Sequence, residues 1–439
     1  MSTADTGAPE LTLLAINLTR RCNLACEHCY LDAETLHTPG DSELTTGEVC
    51  GLLDEVAALD QGTMIVLTGG EPLARDDLEP IIAHGAKSDL AMVVGSNGVM
   101  LTEKRVQSLQ RAGLLGIGIS VDSLDPVKHD AFRGLTGAWA KTMAGIENCR
   151  RQGLDFQLHF SISSMNEGEL EAMIAFARDS GARVLNVFFL ICTGRGEQVT
   201  DLSPAAYELA IERLIEAQAR HDDLIIRTRC APYFKRIAHQ RQPASPLNRI
   251  SGREGDGCVA GIHYCRVTPK GGVTACPYIE QEVGNVRGGG FSELWRSVPD
   301  FEALRSPVLG GKCGVCEYRK LCGGCRARPL AAGGDLLDAD PFCLYQPVGG
   351  EVIEPLGAGE MGVEWSPAAE QRLFRVPSFL RRMVSKRAEA YAVELGASEV
   401  LAEHLEQLVA KRFGGKIKDE HRTSNVQHRM MNEKENIEQ

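Results

Sequence analysis

Residues 18 to 30 read Leu18-Thr-Arg-Arg-Cys22-Asn-Leu-Ala-Cys26-Glu-His-Cys29-Tyr30 and follow an apolar run, Leu11-Thr-Leu-Leu-Ala-Ile-Asn-Leu18. The run has the length and composition of a buried strand. Cysteines separated by three and then two residues are too close for a disulfide framework, and three are too few for a closed four-thiolate zinc site. Three thiolates on one loop suit a 4Fe–4S cluster whose fourth iron stays open to another ligand. On spacing alone, a zinc knuckle with a distant fourth ligand or a loop of unrelated thiols remains the alternative. A ligand loop at the C-terminal end of a first strand is where α/β barrels keep their chemistry, so this stretch sets the expected fold.

Beyond the loop, apolar strands alternate with helical patterns. Helices are expected over 48–58, 78–86, 103–112, 138–152, 169–180 and 205–220, and strands over 63–68, 90–94, 116–121, 156–162 and 184–191. With the first run this makes six strands separated by helices, the pattern of βαβ units and a parallel sheet. A partial, open (β/α)6 barrel over 11–235 is the expected α/β fold, after a short tail at 1–10.

The 439-residue chain is long enough for two or three domains, and 43% hydrophobic residues suffice for a core. A net charge of −12 argues against a general nucleic-acid binder, which needs a basic footprint. The chain contains no apolar run of membrane-spanning length, and Met-Ser-Thr-Ala-Asp-Thr-Gly lacks the features of a signal peptide. A cytoplasmic location is therefore expected, where fifteen cysteines read as metal ligands rather than disulfides. Cys50, Cys149, Cys192 and Cys230 stand outside the clusters and read as small buried hydrophobes.

Composition changes near residue 243, and 236–257 reads as a linker. From 258 to 348 the chain is rich in Cys and Gly with short apolar runs, as in a segment folded around metals. A second linker at 349–362 precedes a small helical module at 363–413, where Pro367 and Pro377 suit first turns of helices. Leu373, Val376, Phe379, Leu380 and Val384 recur there near helical spacing. Residues 414–439 are polar and read as a disordered tail.

With this loop and strand pattern the chain resembles the radical S-adenosylmethionine (SAM) enzymes, whose signature is a Cys-x3-Cys-x2-Cys loop. The second strand ends in Thr68-Gly-Gly-Glu-Pro72, which taken alone is a common turn. The resemblance makes Gly69, Gly70, Glu71 and Pro72 the receivers of the methionine amino group. It carries contacts with the SAM ribose and carboxylate to Ser96, Asn97, Ser120 and Arg133, with Asp122 a weaker candidate, and adds Tyr30 beside the cluster. It implies that an electron from the cluster cleaves SAM to a 5′-deoxyadenosyl radical, which abstracts hydrogen from the substrate. An external electron donor such as ferredoxin or flavodoxin follows from that chemistry.

A second cysteine set reads Cys258-x6-Cys265-x10-Cys276, then Cys313-x2-Cys316-x5-Cys322-x2-Cys325-x17-Cys343. Spacing alone divides evenly between iron–sulfur clusters and structural zinc. The order resembles the SPASM extension, which implies one auxiliary 4Fe–4S cluster on Cys258, Cys265, Cys276 and Cys325. The other would sit on Cys313, Cys316, Cys322 and Cys343. The two-residue spacing Cys322-Gly-Gly-Cys325, where the pattern has three, leaves open one auxiliary cluster or two.

For the substrate, Cys29-Tyr-Leu and Cys258-Val-Ala-Gly-Ile-His-Tyr-Cys265-Arg-Val-Thr-Pro resemble the haem-precursor branch. The module from Trp365 resembles one attached to dark protochlorophyllide reductase. Oxidative decarboxylation of porphyrin propionates to vinyl groups is the reaction implied. Such a polycarboxylate wants arginines near the barrel mouth. Arg195, Arg227 and Arg229 are the candidates, with the pair Lys235-Arg236 beside them; His159 and His263 are named for axial iron ligation. A peptide or protein maturase is the enzymatic alternative, and a structural metal-binding protein the non-enzymatic one.

Overall fold

Strands buried on both faces need apolar side chains at every position, and Leu13–Asn17 (β1) is buried throughout. The computed structural model describes residues 10–413 except 39, 41, 60–62, 199–201, 222, 249–256, 356–362, 375, 377–383, 386–387, 390 and 394. Residues 1–9 of the tail expected at 1–10, the tail expected at 414–439, and Pro377, Phe379 and Leu380 lie outside the described residues.

Around β1 runs a ten-stranded sheet. On one side follow Met64–Thr68 (β2), Ala91–Ser96 (β3), Gly116–Ser120 (β4), Phe156–Ile162 (β5), Val184–Phe189 (β6) and Ile225–Arg229 (β7), each parallel to its neighbour. The helices Thr46–Leu59 (α1), Leu78–Lys87 (α2), Glu103–Ala112 (α3), Pro126–Arg133 (α4), Ala138–Gln152 (α5), Leu170–Asp179 (α6) and Pro204–Arg220 (α7) lie between them in sequence. The six expected strands are present. β7 and α4 are additions: α4 starts where the Asp125 carboxylate accepts from the Val127 and Lys128 amides ahead of Pro126.

On the other side of β1 the sheet continues into the Cys-rich stretch. Tyr264–Val267 (β8) pairs parallel with β1, and Gly272–Thr274 (β9) and Gly284–Asn285 (β10) add antiparallel. Residues 1–359 accordingly form one compact unit. Part of the stretch read as a linker is the helix Phe234–Arg241 (α8), packed on α7, with Lys235 and Arg236 buried. Its basic residues gave it a surface look, but their stems line a buried face.

Residues 360–439 form a second unit. Its described part holds the helices Pro367–Phe374 and Ala402–Phe413, with a core of Ala369, Ala388, Ala392, Val400 and Leu405. A two-residue parallel pair, Glu364–Trp365 with Glu399–Val400, joins the expected helices. Among the described residues no helix is long and apolar enough to cross a membrane.

Sheet register fixes the inner face of the first unit. Ser120, His159, Asn186 and Arg227 stand opposite one another across β4 to β7, so they point the same way. One step on, Ser161, Phe188 and Arg229 form a second row. The alternate residues Leu158, Leu185 and Ile226 belong to the apolar core. The first face is therefore the polar lumen.

Candidate functional site

The cysteine loop leaves β1 at the C-terminal edge of the sheet and is held from several sides. The Ala25 and Glu27 amides donate to the Arg133 and Phe132 carbonyls at 3.2 and 3.0 Å, tying the loop to the end of α4. Gly134 ends α4 at φ +68, and a Cβ there would lie 2.8 Å from the Ala25 carbonyl oxygen. Cys22 is buried, while Cys26 and Cys29 are partly buried. The three thiols act on one another electrostatically, and burial, with Glu71 and the other two thiols, pushes Cys22 up to about 12 against the Leu24 amide. A proton-bearing thiol is a poor ligand, and a bound cation reverses that preference. Donors already face the sulfurs: the Leu24 amide to Cys22 at 3.4 Å, Arg133 Nη1 to Cys26 at 3.6 Å and the Ala33 amide to Cys29 at 3.5 Å. Hydrogen bonds to thiolates stabilise their charge, so the donor set fits an anionic iron–sulfur group.

The Gly-Gly-Glu-Pro turn packs directly on this loop. The Gly70 and Glu71 amides donate to the Thr19 and Arg21 carbonyls at 2.7 and 2.9 Å. Gly69 sits at φ +138, and a Cβ there would come within 3.0 Å of the Thr19 amide nitrogen. Gly69→Ala is therefore expected to shift the turn against the loop and destabilise the protein by about 1–3 kcal/mol. A urea unfolding curve checks this, and unchanged stability would contradict it. Glu71 is fully buried and accepts from the Leu73 amide, Ser96 Oγ and the Asn97 amide at 3.1, 2.9 and 2.9 Å. Burial outweighs these donors and raises its carboxyl to about 7. Pro72 is buried in the short 3-10 turn that follows. Asn97 Nδ2 donates to Asn23 Oδ1 at 2.8 Å and faces Cys22 Sγ at 3.9 Å, so the third strand end also reaches the loop.

Arg133 and Asp122 form a buried ion pair beside Cys26. Asp122 Oδ1 accepts from the Ser161 amide at 3.0 Å. Burial opposes its ionisation, but Arg133 prevails and holds the carboxyl below the usual range. His28, between Cys26 and Cys29, stacks on Phe132 at 4.5 Å and approaches Asp122 Oδ2 at 3.9 Å. Burial, together with Arg133 and Arg195, holds it near 4, hence neutral. Sequence reasoning passed over His28, although its place inside the ligand loop was a usable signal.

Arg195 is not a lumen residue. Its guanidinium donates to the Cys26 and Ala33 carbonyls at 3.1 and 2.9 Å, and its amide to the Cys29 carbonyl and Asp32 Oδ1 at 3.1 and 2.8 Å. It clamps the cysteine loop through Nε and Nη1, while Nη2 is buried without a hydrogen-bond partner. Arg227, Arg229 and His159 do occupy the lumen rows. His159 lies 5.2 Å from Phe188, and its imidazole occupies the space a Cβ on Gly118 would need. Arg229 Nε donates to Asn186 Oδ1 at 2.9 Å. His263 lies at the opposite end of the barrel, with Nδ1 3.0 Å from the Glu10 carbonyl, because β8 begins level with the start of β1. Tyr30 accepts from Asn17 Nδ2 at 3.0 Å and lies 5.5 Å from Tyr278, between the cysteine loop and the second cysteine set.

Cys313, Cys316, Cys322 and Cys343 line one cavity with Arg236, Lys312 and Arg319. Arg236 is thereby committed away from the lumen; it also pairs with Glu208 and lies over Tyr345 at 5.0 Å. Burial pushes the Cys322 thiol well up, opposed by the Gly324 amide, which meets its sulfur at 3.4 Å. Among the described residues, no three Cys, His, Asp or Glu side chains converge as the ligands of a single ion do. Cys265, expected in the other set, is fully buried in the apolar core.

Comparison with known proteins agrees with this arrangement. Residues 16–177 match the Radical SAM superfamily model, and residues 365–408 match that of the proto-chlorophyllide reductase 57 kD subunit. The AdoMet-dependent heme synthase of Methanosarcina barkeri is 39% identical over 350 residues, 78% of this chain and 99% of that protein. The pre-heme d1 synthase of Dinoroseobacter shibae is 33% identical over 74% of this chain and 84% of its own length. Among solved structures, Streptococcus suis SuiB bound to S-adenosylmethionine aligns at a TM-score of 0.63 and 16% identity, over 77% of this chain and 78% of that one. At that identity the likeness concerns the fold.

Proposed function

The chain belongs to the radical SAM superfamily, and from that premise we propose that it modifies a tetrapyrrole in alternative haem biosynthesis, converting porphyrin propionates to vinyl groups. The observation that carries this reading is 39% identity spanning nearly the whole of a heme synthase. The lumen supports it chemically, since Arg227 and Arg229 share the polar face with His159. Guanidinium forks suit propionate carboxylates, and an imidazole suits porphyrin iron.

When bound, a 4Fe–4S cluster and SAM would supply hydrogen-atom abstraction from the propionate, and conversion to a vinyl group would then release carbon dioxide and one electron, the electron passing to a one-electron acceptor such as an auxiliary iron–sulfur cluster. Cys22, Cys26 and Cys29 are the residues that would hold that cluster. Gly69, Gly70, Glu71 and Pro72 would receive the SAM amino group, with Ser96, Asn97 and Ser120 beside it. Arg133, already bonded to Asp122, positions the Cys26 side of the loop rather than standing free for a carboxylate. Cys313, Cys316, Cys322 and Cys343 would hold an auxiliary iron–sulfur cluster, with Arg236 and Lys312 offsetting its negative charge. An external one-electron donor, of the ferredoxin or flavodoxin kind, completes the requirement.

Anaerobically reconstituted protein given SAM, dithionite and iron-coproporphyrin is expected to remove the elements of formic acid from each converted side chain, read by mass spectrometry. An unchanged porphyrin mass would overturn the haem reading and favour a peptide substrate. Arg227→Ala and Arg229→Ala are each expected to lower kcat/KM about tenfold to a hundredfold, the worth of a charge-assisted hydrogen bond. Steady-state kinetics check this, and SAM cleavage without substrate should persist in both variants.

A further inference from the structure

Strand parity separates cysteines that spacing had grouped. On β8, Arg266 donates to Thr274 Oγ1 at 3.0 Å and to the Pro277 carbonyl at 2.9 Å. Tyr264, two residues away, is influenced by Cys276 and Tyr30. Adjacent strand residues point to opposite faces, so Cys265 is turned away from both. It is fully buried opposite Leu14 of β1. The charged group beside its thiol is Arg305, which is stacked on Trp295 at 4.6 Å.

Another thiol, Cys230, lies within electrostatic reach of the remaining members of that set. Cys230 directly follows β7, and Cys276 has Cys230, Cys258 and Cys325 as electrostatic neighbours. Cys325 in turn has Cys258 and Cys230. The backbone at Cys230 adopts φ +62, a left-handed conformation rarely kept by a residue with a side chain unless its surroundings enforce it. A buried ion pair reaches the backbone there. Arg328 Nη2 donates to the Cys230 carbonyl at 3.1 Å, Arg328 meets Asp340 at 3.4 Å, and Asp340 accepts from the Cys325 amide at 3.0 Å. The Arg328–Asp340 pair thus ties the chain at Cys230 to the chain at Cys325.

We propose that Cys230, not Cys265, completes a four-thiolate set with Cys258, Cys276 and Cys325 for an auxiliary 4Fe–4S cluster. The proposal rests on the iron–sulfur reading of the second cysteine region. With Cys313, Cys316, Cys322 and Cys343 forming the other set, the two-residue spacing of Cys322 and Cys325 is no obstacle to two clusters, because the two residues serve different sets.

The test compares full-length Cys230→Ala, Cys265→Ala and Cys258→Ala, each reconstituted anaerobically. Iron and sulfide are counted, and reduced samples are examined by low-temperature electron paramagnetic resonance. Cys230→Ala and Cys258→Ala are each expected to lose about four irons per chain and the same signal, while Cys265→Ala keeps both. Full iron in Cys230→Ala with loss in Cys265→Ala would overturn the assignment. Full iron in Cys258→Ala, or loss of zinc in its place, would instead overturn the iron–sulfur reading beneath it. Should Cys265→Ala not fold, Cys265→Val fills the core site, and a full complement of iron in it supports the proposal. Loss of iron from folded Cys265→Val overturns it.

Discussion

Replacing Cys26 by alanine is expected to reduce SAM cleavage to the buffer background and to remove about four irons per chain. The reason lies in how little else depends on that side chain. Cys26 is partly buried on a loop whose backbone is held independently, by the Phe132 and Arg133 carbonyls and by Arg195. Burial raises the Cys26 thiol, Arg133 opposes that, and Asp122 and Cys29 add to it. Losing the thiol leaves Arg133 paired with Asp122, so the fold should change by about 1 kcal/mol or less. Activity and stability therefore separate. Chromatographic measurement of 5′-deoxyadenosine under dithionite, beside a urea unfolding curve, reads both. A variant that still cleaves SAM would show that Cys26 is not a ligand, as would be expected if the cysteines served a scaffold.

Much of the barrel was legible because parallel strands covered on both faces are nearly continuous apolar runs, as β1 and β3 are. β7 escaped for the converse reason. Its sequence, Ile-Ile-Arg-Thr-Arg, carries arginine at the lumen positions, so the residues that interest a substrate broke the pattern that marks a strand. The Cys-x3-Cys-x2-Cys loop and the Gly-Gly-Glu-Pro turn were legible as motifs, and the structure adds the reason they belong together. The turn's amides bond the backbone that leads into the loop.

What spacing could not carry was direction. Cys265 lies near Cys258 and Cys276 in sequence, but on β8 it stands on the face opposite Tyr264 and Arg266, fully buried. Arg195, Arg227 and Arg229 looked alike as basic residues beyond the last expected strand. One bonds loop carbonyls through two of its nitrogens, and the other two lie on the lumen face. Asp122 was undervalued because a carboxylate at a strand end is ordinary. Its meaning comes from Arg133, brought to it by a helix that was not anticipated.

Asp122→Ala is expected to destabilise the iron-free protein by about 3–5 kcal/mol, because it leaves the Arg133 guanidinium buried without its counter-ion. Arg133 is 6% exposed and Asp122 is fully buried, so solvent cannot screen the charge that remains. The Ser161 amide also loses its acceptor. The iron-loaded protein should lose less, since a ligated Cys26 carries negative charge at the atom Arg133 already faces at 3.6 Å. Asp122→Asn, which keeps the amide's acceptor without the charge, should fall between the two. The pH dependence has a definite sign: a carboxyl held below its ordinary value contributes stability above that value, near 4, and loses it as pH falls further. The unfolding curve of Asp122→Ala should lack that acid limb. Anaerobic urea unfolding of iron-free and reconstituted samples measures the difference. Equal losses in both states would mean that Arg133 serves the fold alone, whereas a smaller loss with iron bound would identify the Asp122–Arg133 pair as the device that holds the cysteine loop ready for its cluster.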